Sequence, residues 1–431
     1  MGDCLVVRGG TPLRGDVWAS GSKNAALPML AATLLTRDEV VVDNLPVIDD
    51  IRRMLALLER LGADVDLDEE NHSVRIRARD LTSSEIDAAP ATAMRASFLL
   101  IGPLLARTGH GIAPAPGGCA IGRRPVNVDI KGFTEMGADV REIDGRYEIR
   151  APRLRGERVY LDYPSHTGTE NLMMAACLAR GRTLIKHASA EPEVVALAGC
   201  LNQMGARITG AGSSLIEIEG VRELRGAHLH CLPDRIEAGT FAIAALISQG
   251  DVTIHDVYVP HMDPVTHKLI DVGGIVDEDQ DAGCVRVRAN GHLRACELQT
   301  LPYPGFPTDL QSCFATLLTQ ADGTSFVHER IFDDRLGYVG ELRKLGADVS
   351  ITGGQTALIH GPSRLRGGVT RTSDLRAGAA LILAGLVAEG ETTITDVHHI
   401  ERGYEGIDAK LGGLGARIER VREPEPAATL R

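Results

Sequence analysis

One short phrase recurs six times along the chain, and this repeat limits the possible folds more than any other feature. The six copies read LERLGADV, FTEMGADV, LNQMGARI, LIDVGGIV, LRKLGADV and LGGLGARI. Their glycines follow one another at spacings of 68 to 75 residues, at Gly62, Gly137, Gly205, Gly273, Gly346 and Gly415. Solenoid repeats have shorter periods of roughly 20 to 50 residues. Each copy therefore predicts a small folding module of its own.

Each repeat predicts the same order of helices and strands. The phrase is typical of a helix end, with apolar residues in the last turn and then a glycine that can adopt the left-handed conformation. The alternating residues after it indicate a strand. Runs such as DLRAGAALILAGLVAEG precede it in most copies and predict a helix that is apolar on nearly every side and therefore buried. The predicted order of elements in each module is therefore a buried helix, a strand, a loop, an amphipathic helix and two strands.

Six such modules predict an α/β fold with helices packed inside, and with sheets and the remaining helices outside. A chain of 431 residues is long enough for two or three domains. Two groups of three modules would place a break near residues 225 to 235. The repeat count alone also allows a single closed ring of six modules.

Composition and charge argue against several classes of function. The net charge of −12 disfavours nucleic-acid binding, which needs a basic surface, although a local arginine cluster can still bind a small anion. No stretch is long and apolar enough to cross a membrane, and the first residues lack the pattern of a signal peptide. The eight cysteines include no CxxC pair. We therefore expect a cytoplasmic protein with no nucleic-acid or membrane partner.

Charged residues at the starts of the buried helices predict an anion site. Helix N-termini carry partial positive charge and free N–H donors, so several converging ends favour an anion. Lys23, Arg95 and Arg376 add cations at these starts, where they oppose the helix dipole unless an anion is bound. Acidic residues occupy other starts, and for them helix capping is an equally good interpretation. They are Asp234, Glu237 and Asp374.

The second repeat differs from the others by a loop, PGGCAIGRRP, at residues 116–125. Its glycines and prolines exclude a regular helix or strand, and loops on rigid scaffolds commonly carry function. Cys119 lies near Arg123 and Arg124, and positive charge makes a thiol ionise more readily. A cysteine can also be a simple buried hydrophobe. The break in the repeat and the neighbouring charge favour a reactive Cys119.

Several segments resemble the enolpyruvyl transferases, in order and over nearly the whole chain. They are GSKNAALP, RAS, PGGCAIG with RP, YPGFPTDLQ, DLRA and IERGYEGIDAKL. PGGCAIG and PGFPTD are similar to the branch whose acceptor is UDP-N-acetylglucosamine, and they separate it from the related shikimate-phosphate enzyme. The resemblance implies an inside-out α/β barrel of two similar domains with three repeats each. These domains would span residues 21–230, and residues 1–20 together with 231–431.

The resemblance also implies an addition–elimination reaction. An acceptor hydroxyl adds to C2 of phosphoenolpyruvate while C3 gains a proton, and phosphate is then eliminated. By resemblance Cys119 is the general acid, and Asp309 is the base, a role that suits it if burial raises the pKa of its carboxyl. Lys23, Arg124 and Arg402 match positions that hold the phosphate and the developing charge. Lys23 and Arg402 are therefore predicted to be catalytic as well.

Other residues match substrate-binding positions of the family. Arg330 and Arg376 match positions near the carboxylate of phosphoenolpyruvate, where a planar guanidinium can bind two oxygens. Asn24 matches a substrate contact in the closed state, and Arg95 matches a residue that supports the anion site. The remaining predicted substrate-binding residues are Asn127, Asp129, Ser165, Thr167 and Asp374. No cofactor and no metal are expected, because His166, His398 and His399 lack the spacing of a metal site.

The chain departs from the family pattern on the nucleotide side. At the position of Asp129 the family has a residue that can contact phosphate, whereas this chain has an acid. At the position of Thr167 the family has a glycine, which lets the backbone approach the diphosphate. The sequence therefore does not decide which nucleotide is the acceptor substrate. The leading hypothesis is UDP-N-acetylglucosamine, in peptidoglycan precursor synthesis, and the alternative is another uridine nucleotide such as UMP, in nucleoside-antibiotic biosynthesis. A non-catalytic nucleotide-sugar-binding regulator is a third hypothesis, against which the predicted acid and base both argue.

Overall fold

The computed structural model describes residues 3–88, 91, 94–115 and 126–422. Two of the predicted site residues, Cys119 and Arg124, belong to the loop 116–125 and lie outside the described residues. Residues 423–431 also lie outside them. The predictions for these two side chains therefore stay predictions.

The six repeat glycines follow six helices, as the sequence predicts. All six glycines have φ between 94° and 103°, in the region that glycine tolerates and other residues avoid. The helices before them carry apolar residues on one face, and that face is buried. They span Asp49–Arg60, Asn127–Glu135, Pro192–Gln203, Asp263–Asp271, Tyr338–Lys344 and Ile407–Gly413.

A second set of six helices lies in the interior. Every residue of the Arg235–Ile247 helix is buried, for example, because apolar side chains surround its axis. The set comprises Lys23–Ala32, Ile101–Thr108, His166–Ala176, Arg235–Ile247, Gln311–Leu318 and Leu375–Val387. Short 3₁₀ turns occupy Thr33–Leu35, Arg95–Leu100, Val259–His261 and Thr308–Leu310, and a further short helix spans His398–Glu401.

The described strands form five four-stranded sheets and one three-stranded sheet. In each four-stranded sheet one edge strand runs parallel to its neighbour, and the other pairings are antiparallel. In the first half of the chain the strands, in spatial order, are His228–His230, Glu39–Asp43, Ser73–Arg77 and Asp64–Asp68; His110–Pro114, Arg146–Arg150 and Asp139–Ile143; and Arg158–Tyr160, Arg182–Lys186, Leu215–Glu219 and Arg207–Thr209. The others are Arg14–Trp18, Asp251–His255, Cys284–Arg288 and Ile275–Asp279; Glu297–Gln299, Gly323–His328, Thr356–Gly361 and Asp348–Thr352; and Val369–Arg371, Glu391–Thr395, Asp3–Arg8 and Arg417–Arg422.

Strand pairing closes each half of the chain on itself. The strand His228–His230 pairs with Glu39–Asp43, so the end of the third repeat returns to the first. The N-terminal strand Asp3–Arg8 pairs with Glu391–Thr395 and with Arg417–Arg422 at the other end of the chain. The first residues of the chain thus belong to sheets built mainly from its last three repeats.

The buried apolar residues form two separate cores. One lies between Ala25 and Cys231, and the other combines residues 5–19 with residues 236–414. Two cores are what two groups of three modules require, and a single ring of six modules is not formed. The α/β fold with buried helices is therefore confirmed, while the exact domain boundaries stay a prediction. We refer to residues 21–230 as the first half and to residues 3–20 with 231–422 as the second half.

Candidate active site

Lys23 lies at the boundary between the two halves. Ser22 caps the first buried helix by accepting a hydrogen bond from Ala25 N, and Lys23 is the first residue of that helix. The Lys23 ammonium lies 2.7 Å from Asp50 Oδ2. From the second half, Arg402 Nε donates to Asp50 Oδ1 at 2.9 Å. One carboxylate therefore joins two predicted catalytic cations across the boundary.

Asp50 was not identified from the sequence, although it organises this group. Its side chain is 1% exposed, and burial by itself raises the pKa of a carboxyl group. Lys23 and Arg402 outweigh burial and hold the pKa of Asp50 below its usual range. Asp50 is thus ionised at neutral pH and compensates one of its two cationic partners.

Asp309 forms a second group of the same kind in the second half. It lies in the 3₁₀ turn Thr308–Leu310 before the fifth buried helix. Its Oδ1 accepts from Arg335 Nη2 at 2.9 Å, and its Oδ2 accepts from Arg376 Nε at 3.2 Å and Nη2 at 3.0 Å. Arg335 is 6% and Arg376 2% exposed. The Asp309 carboxylate is therefore held on both sides by buried guanidinium groups.

The electrostatics of Asp309 differ from the sequence-based expectation. Burial raises its pKa, but Arg376 and Arg335 outweigh burial, and the pKa of Asp309 lies well below its usual range. The expectation of a pKa raised by burial was therefore wrong for this state. While both arginines hold it, the carboxylate is ionised at neutral pH but is a weak base.

The two groups form one charged site. Lys23 lies near enough to Asp309 for its charge to lower the pKa of that carboxyl, which links the two groups electrostatically. The cations are Lys23, Arg335, Arg376 and Arg402, and the carboxylates are Asp50 and Asp309. Four cations against two carboxylates leave an excess of positive charge among these side chains, which Asp234 reduces when it is ionised, because its charge also acts on Arg376. Such an excess in a mostly buried place favours an anionic ligand.

Tyr404 fixes the orientation of Arg376 within this site. The Arg376 guanidinium lies over the Tyr404 ring, 5.1 Å from its centre, a contact that attracts a cation to an aromatic face. The Tyr404 hydroxyl is itself hydrogen-bonded to Thr240 Oγ1 at 2.9 Å. Arg376 is therefore presented to Asp309 in a defined position.

The structure places Arg335, and not Arg330, at Asp309. Arg330 is exposed, and its backbone N–H donates to Thr300 Oγ1 at 2.9 Å. Arg335, which the sequence analysis did not identify, therefore joins the anion site, and the predicted role of Arg330 stays a prediction. The two arginines lie close together in the sequence, and only the burial of Arg335 distinguishes them. Asn24, next to Lys23, is partly exposed at the start of its helix, as a substrate contact would need to be.

Three predicted polar residues act as helix caps. Ser165 Oγ accepts from Gly168 N at 3.1 Å, and Asp374 Oδ1 accepts from Arg376 N at 2.8 Å. Asp234 Oδ1 likewise accepts from Ile236 N at 2.7 Å. Capping, one of the two interpretations of the acids, thus applies to both Asp234 and Asp374. For Ser165 and Asp374 the cap leaves the predicted substrate contact untested.

Asp129 points into the interior rather than towards a ligand. It is 2% exposed, and its Oδ1 accepts from Asn171 Nδ2 at 2.8 Å. Burial raises the pKa of Asp129 to about 6, even though Asn171 and the charge of Arg95 act in the opposite direction. Asp129 therefore contacts Asn171 in this structure, and its predicted substrate contact stays a prediction. Arg95 is half-buried next to it, and Asn127 Oδ1 accepts from Tyr163 at 3.3 Å.

A second charged group crosses the boundary between the halves and was missed from the sequence. Arg235 of the second half donates to Glu193 Oε1 at 3.0 Å and to Glu191 Oε2 at 2.7 Å in the first half. One signal could have identified it. Glu193 and Asp50 both lie 12 residues before a repeat glycine, so the two boundary carboxylates occupy equivalent places in the first and third repeats.

His166 places a positive charge at the start of the third buried helix. Its Nε2 lies 3.1 Å from Glu170 Oε1. Burial lowers the pKa of His166, but Glu170 and the neighbouring Glu193 outweigh burial and raise it to about 10. Thr167, the next residue, is partly exposed in the same turn. In the described residues, no group of three or more His, Cys, Asp or Glu side chains is arranged to bind a metal.

Two halves of three α/β repeats, with a cationic site at their boundary, are typical of a transferase that acts on an anionic substrate. The family described as EPSP synthase (3-phosphoshikimate 1-carboxyvinyltransferase) matches residues 7–411. The chain belongs to this family of enolpyruvyl transferases. Within the described residues, no helix has both the length and the apolar character needed to cross a membrane.

Curated relatives are similar over nearly their whole length. UDP-N-acetylglucosamine 1-carboxyvinyltransferase 2 of Carboxydothermus hydrogenoformans is 48% identical over 417 residues, 97% of this chain and 99% of that protein. The UDP-N-acetylglucosamine 1-carboxyvinyltransferase of Halothermothrix orenii is 46% identical, over 97% and 99%. Among solved structures, the enolpyruvyl transferase NikO from Streptomyces tendae has a TM-score of 0.89 at 25% identity, covering 98% of this chain and all of that one. EPSP synthase of Acinetobacter baumannii shares the fold, with a TM-score of 0.76 at 18% identity over 97% and 100%.

Proposed function

We propose that this enzyme transfers the enolpyruvyl group of phosphoenolpyruvate to the 3-hydroxyl of UDP-N-acetylglucosamine and releases phosphate. The product would enter peptidoglycan precursor synthesis. The observation that carries the proposal is that four cations meet two carboxylates in the site of Lys23, Asp50, Asp309, Arg376 and their neighbours. Phosphoenolpyruvate has a phosphate and a carboxylate, two anionic groups of the kind that guanidinium pairs bind.

The cations would divide between the two anionic groups of phosphoenolpyruvate. We assign Lys23 and Arg402 to the phosphate, because they meet from opposite halves at Asp50. We assign Arg335 and Arg376 to the carboxylate, because both present guanidinium groups beside Asp309. A bound substrate anion competes with Asp309 for these guanidinium groups, and weaker pairing raises the pKa of that carboxyl. Substrate binding would thereby make Asp309 a better base.

The addition then needs a base for the hydroxyl proton and an acid beside C3. The acceptor oxygen bonds to C2 as Asp309 takes the hydroxyl proton, and C3 gains a proton from the Cys119 thiol. In the elimination the Cys119 thiolate takes a proton back from C3 as the C2–O bond to phosphate breaks, which restores the double bond, and the departing phosphate takes up the proton held by Asp309. Each proton taken up in the addition is matched by one released in the elimination, so the reaction needs no cofactor.

The acceptor is proposed from the relatives and from charge on the nucleotide side. Enzymes named for UDP-N-acetylglucosamine share 46–48% identity with this chain. Asp129 is turned inwards, so its carboxylate does not oppose a diphosphate. The N-terminus of the helix His166–Ala176 favours an anion, while the charge of His166 itself is paired with Glu170. UMP stays the competing acceptor. A cytoplasmic location is proposed with this function.

Phosphate release is the direct test of the proposal. Purified protein is incubated with phosphoenolpyruvate and either UDP-N-acetylglucosamine or UMP, and inorganic phosphate is followed over time. We expect release with the sugar nucleotide at least tenfold faster than with UMP. Release with UMP only would replace the proposed acceptor, and no release with either nucleotide would favour a binding protein without transferase activity.

Thiol labelling gives an independent test of the role of Cys119. Four other cysteines are poor competitors, because burial raises the pKa of Cys177 and Cys313 to about 12 and that of Cys200 and Cys296 to about 11. Cys284, whose pKa is also raised, is only partly buried and is the internal comparison. We expect iodoacetamide at pH 7 to label Cys119 first and phosphoenolpyruvate to slow that labelling. Peptide mass mapping identifies the modified residue. Equal labelling of several cysteines, with turnover unaffected, would remove Cys119 from the mechanism.

A further inference from the structure

Glu329 is a fully buried acid of the second half. It follows the strand Gly323–His328 and is 0% exposed. Glu237 pairs with Lys410, whereas in the described part of the chain Glu329, like the helix-capping Asp234 and Asp374, is not within ion-pair distance of any basic side chain. A buried carboxylate without a cation costs several kcal/mol unless hydrogen bonds replace its hydration. A carboxylate buried in this way therefore needs several hydrogen-bond donors around its two oxygens.

Four donors surround this carboxylate. Oε1 accepts from Thr300 Oγ1 at 3.0 Å, from Ile331 N at 2.8 Å and from Phe332 N at 3.1 Å. Oε2 accepts from Thr308 Oγ1 at 2.9 Å. These donors come from three separate segments of the second half. Glu329 is thus a junction at which the three segments are held together.

Two of the segments carry charged residues of the candidate active site. Thr308 directly precedes Asp309 in the same 3₁₀ turn, so the bond to Glu329 fixes the turn that presents the carboxylate. Phe332 lies three residues before Arg335 in the chain, and the Arg335 guanidinium lies 5.5 Å from the centre of the Phe332 ring. Glu329 therefore holds both partners of the Asp309–Arg335 ion pair, each through one intermediate residue.

We propose that Glu329 is a positioning residue for the transfer reaction, which fixes Asp309 and Arg335 relative to each other. This inference rests on the proposed function, because Asp309 is assigned there as the base. A catalytic group must be held close to its productive position, and a displacement of about 1 Å can cost about 100-fold in rate. Asp309 needs this constraint in particular, because two arginines pull its carboxylate in different directions.

Two threonine variants separate positioning from simple stabilisation. Thr308→Val removes one hydrogen bond to Glu329, on the side of Asp309. Thr300→Val removes one bond to Glu329 and also the acceptor of Arg330 N, so it is the larger structural lesion. A purely structural role therefore predicts more damage from Thr300→Val in every measurement. Positioning predicts the opposite order for kcat, measured by phosphate release, with a loss of about 30-fold in Thr308→Val and less than about threefold in Thr300→Val.

Crystal structures of the two variants provide a readout that does not depend on activity. We expect the distance from Asp309 Oδ1 to Arg335 Nη2, 2.9 Å in the parent protein, to lengthen in Thr308→Val and to stay unchanged in Thr300→Val. An unchanged distance in Thr308→Val, or an equal loss of kcat in both variants, overturns the proposal. If the parent protein releases no phosphate, the proposed function fails, and the distances alone still decide whether Glu329 positions the pair.

Discussion

Asp309→Asn is expected to lower kcat by about a thousandfold, within the range of general acid–base catalysis. Asparagine has nearly the same shape as aspartate, so substrate can still enter the site, but the amide cannot take the proton of the acceptor hydroxyl. It also cannot neutralise Arg335 and Arg376, which now share Asp309 as their anionic partner. The loss should therefore appear in kcat measured by phosphate release, with a smaller change in KM for the acceptor.

The same variant is expected to be less stable at neutral pH, because it leaves two buried arginines without their carboxylate. Removing one partner of a buried ion pair costs about 3 to 5 kcal/mol. Asp309 has a lowered pKa in the folded protein, so its contribution to stability is present above the unfolded pKa of about 3.9 and is lost as pH falls below it. The difference in free energy of unfolding between parent and variant should therefore be largest near pH 7 and shrink below about pH 4.

Asp333→Asn is the matched control for Asp309→Asn. Asp333 lies on the same segment as Arg335 but is exposed, and it accepts a hydrogen bond from Gln355 Nε2 at 3.0 Å. An exposed substitution of this kind changes stability by about 0.5 kcal/mol or less, and we expect unchanged turnover. If Asp309→Asn kept the turnover of Asp333→Asn, Asp309 would not be the base.

Asp50→Asn is expected to destabilise the protein by about 3 kcal/mol and to increase its response to phosphate. The variant leaves Lys23 and Arg402, from opposite halves, without the charge that now joins them. A bound anion can then supply the missing negative charge. Inorganic phosphate should therefore raise the unfolding temperature of the variant more than that of the parent protein. Because the two cations are no longer held in place, kcat/KM for phosphoenolpyruvate should fall about 100-fold.

Asp49→Asn is the control for this experiment, because Asp49 precedes Asp50 on the same helix. Its carboxylate is more than a third exposed and pairs only with Arg53 at 3.3 Å among the described residues. Exposed pairs of this type contribute about 0 to 1 kcal/mol. We expect Asp49→Asn to behave like the parent protein in stability, phosphate response and turnover. Equal behaviour of the two variants would show that Asp50 does not organise the site.

The fold was predictable because its determinants are local. The repeat glycines, each with positive φ, follow helices that the apolar pattern had located, and the module order of the first repeat runs as expected from Lys23–Ala32 to Ser73–Arg77. Helix caps and strand alternation depend on residues close together in the chain. The apolar character of the interior helices was likewise readable from single segments, such as Leu375–Val387.

The site was predictable only in part, because its contacts depend on distant residues. Lys23, Arg376, Arg402 and Asp309 could be assigned by resemblance, and the structure brings all four into one charged site. Arg335 could not be distinguished from Arg330 without knowing which side chain is buried. The inward orientation of the Asp129 side chain could not be predicted either, since it depends on Asn171, a residue of another helix.

By itself, the sequence determined the six modules, the capped helices and the cationic character of the helix starts, since each is encoded within a short segment. Only the tertiary structure decided which charges meet. Arg402 and Asp50 lie 352 residues apart in the chain, and the low pKa of Asp309 results from two arginines that reach it from other segments. Charge–charge interactions depend on distance in space and on burial. Both are set when the two halves fold and meet.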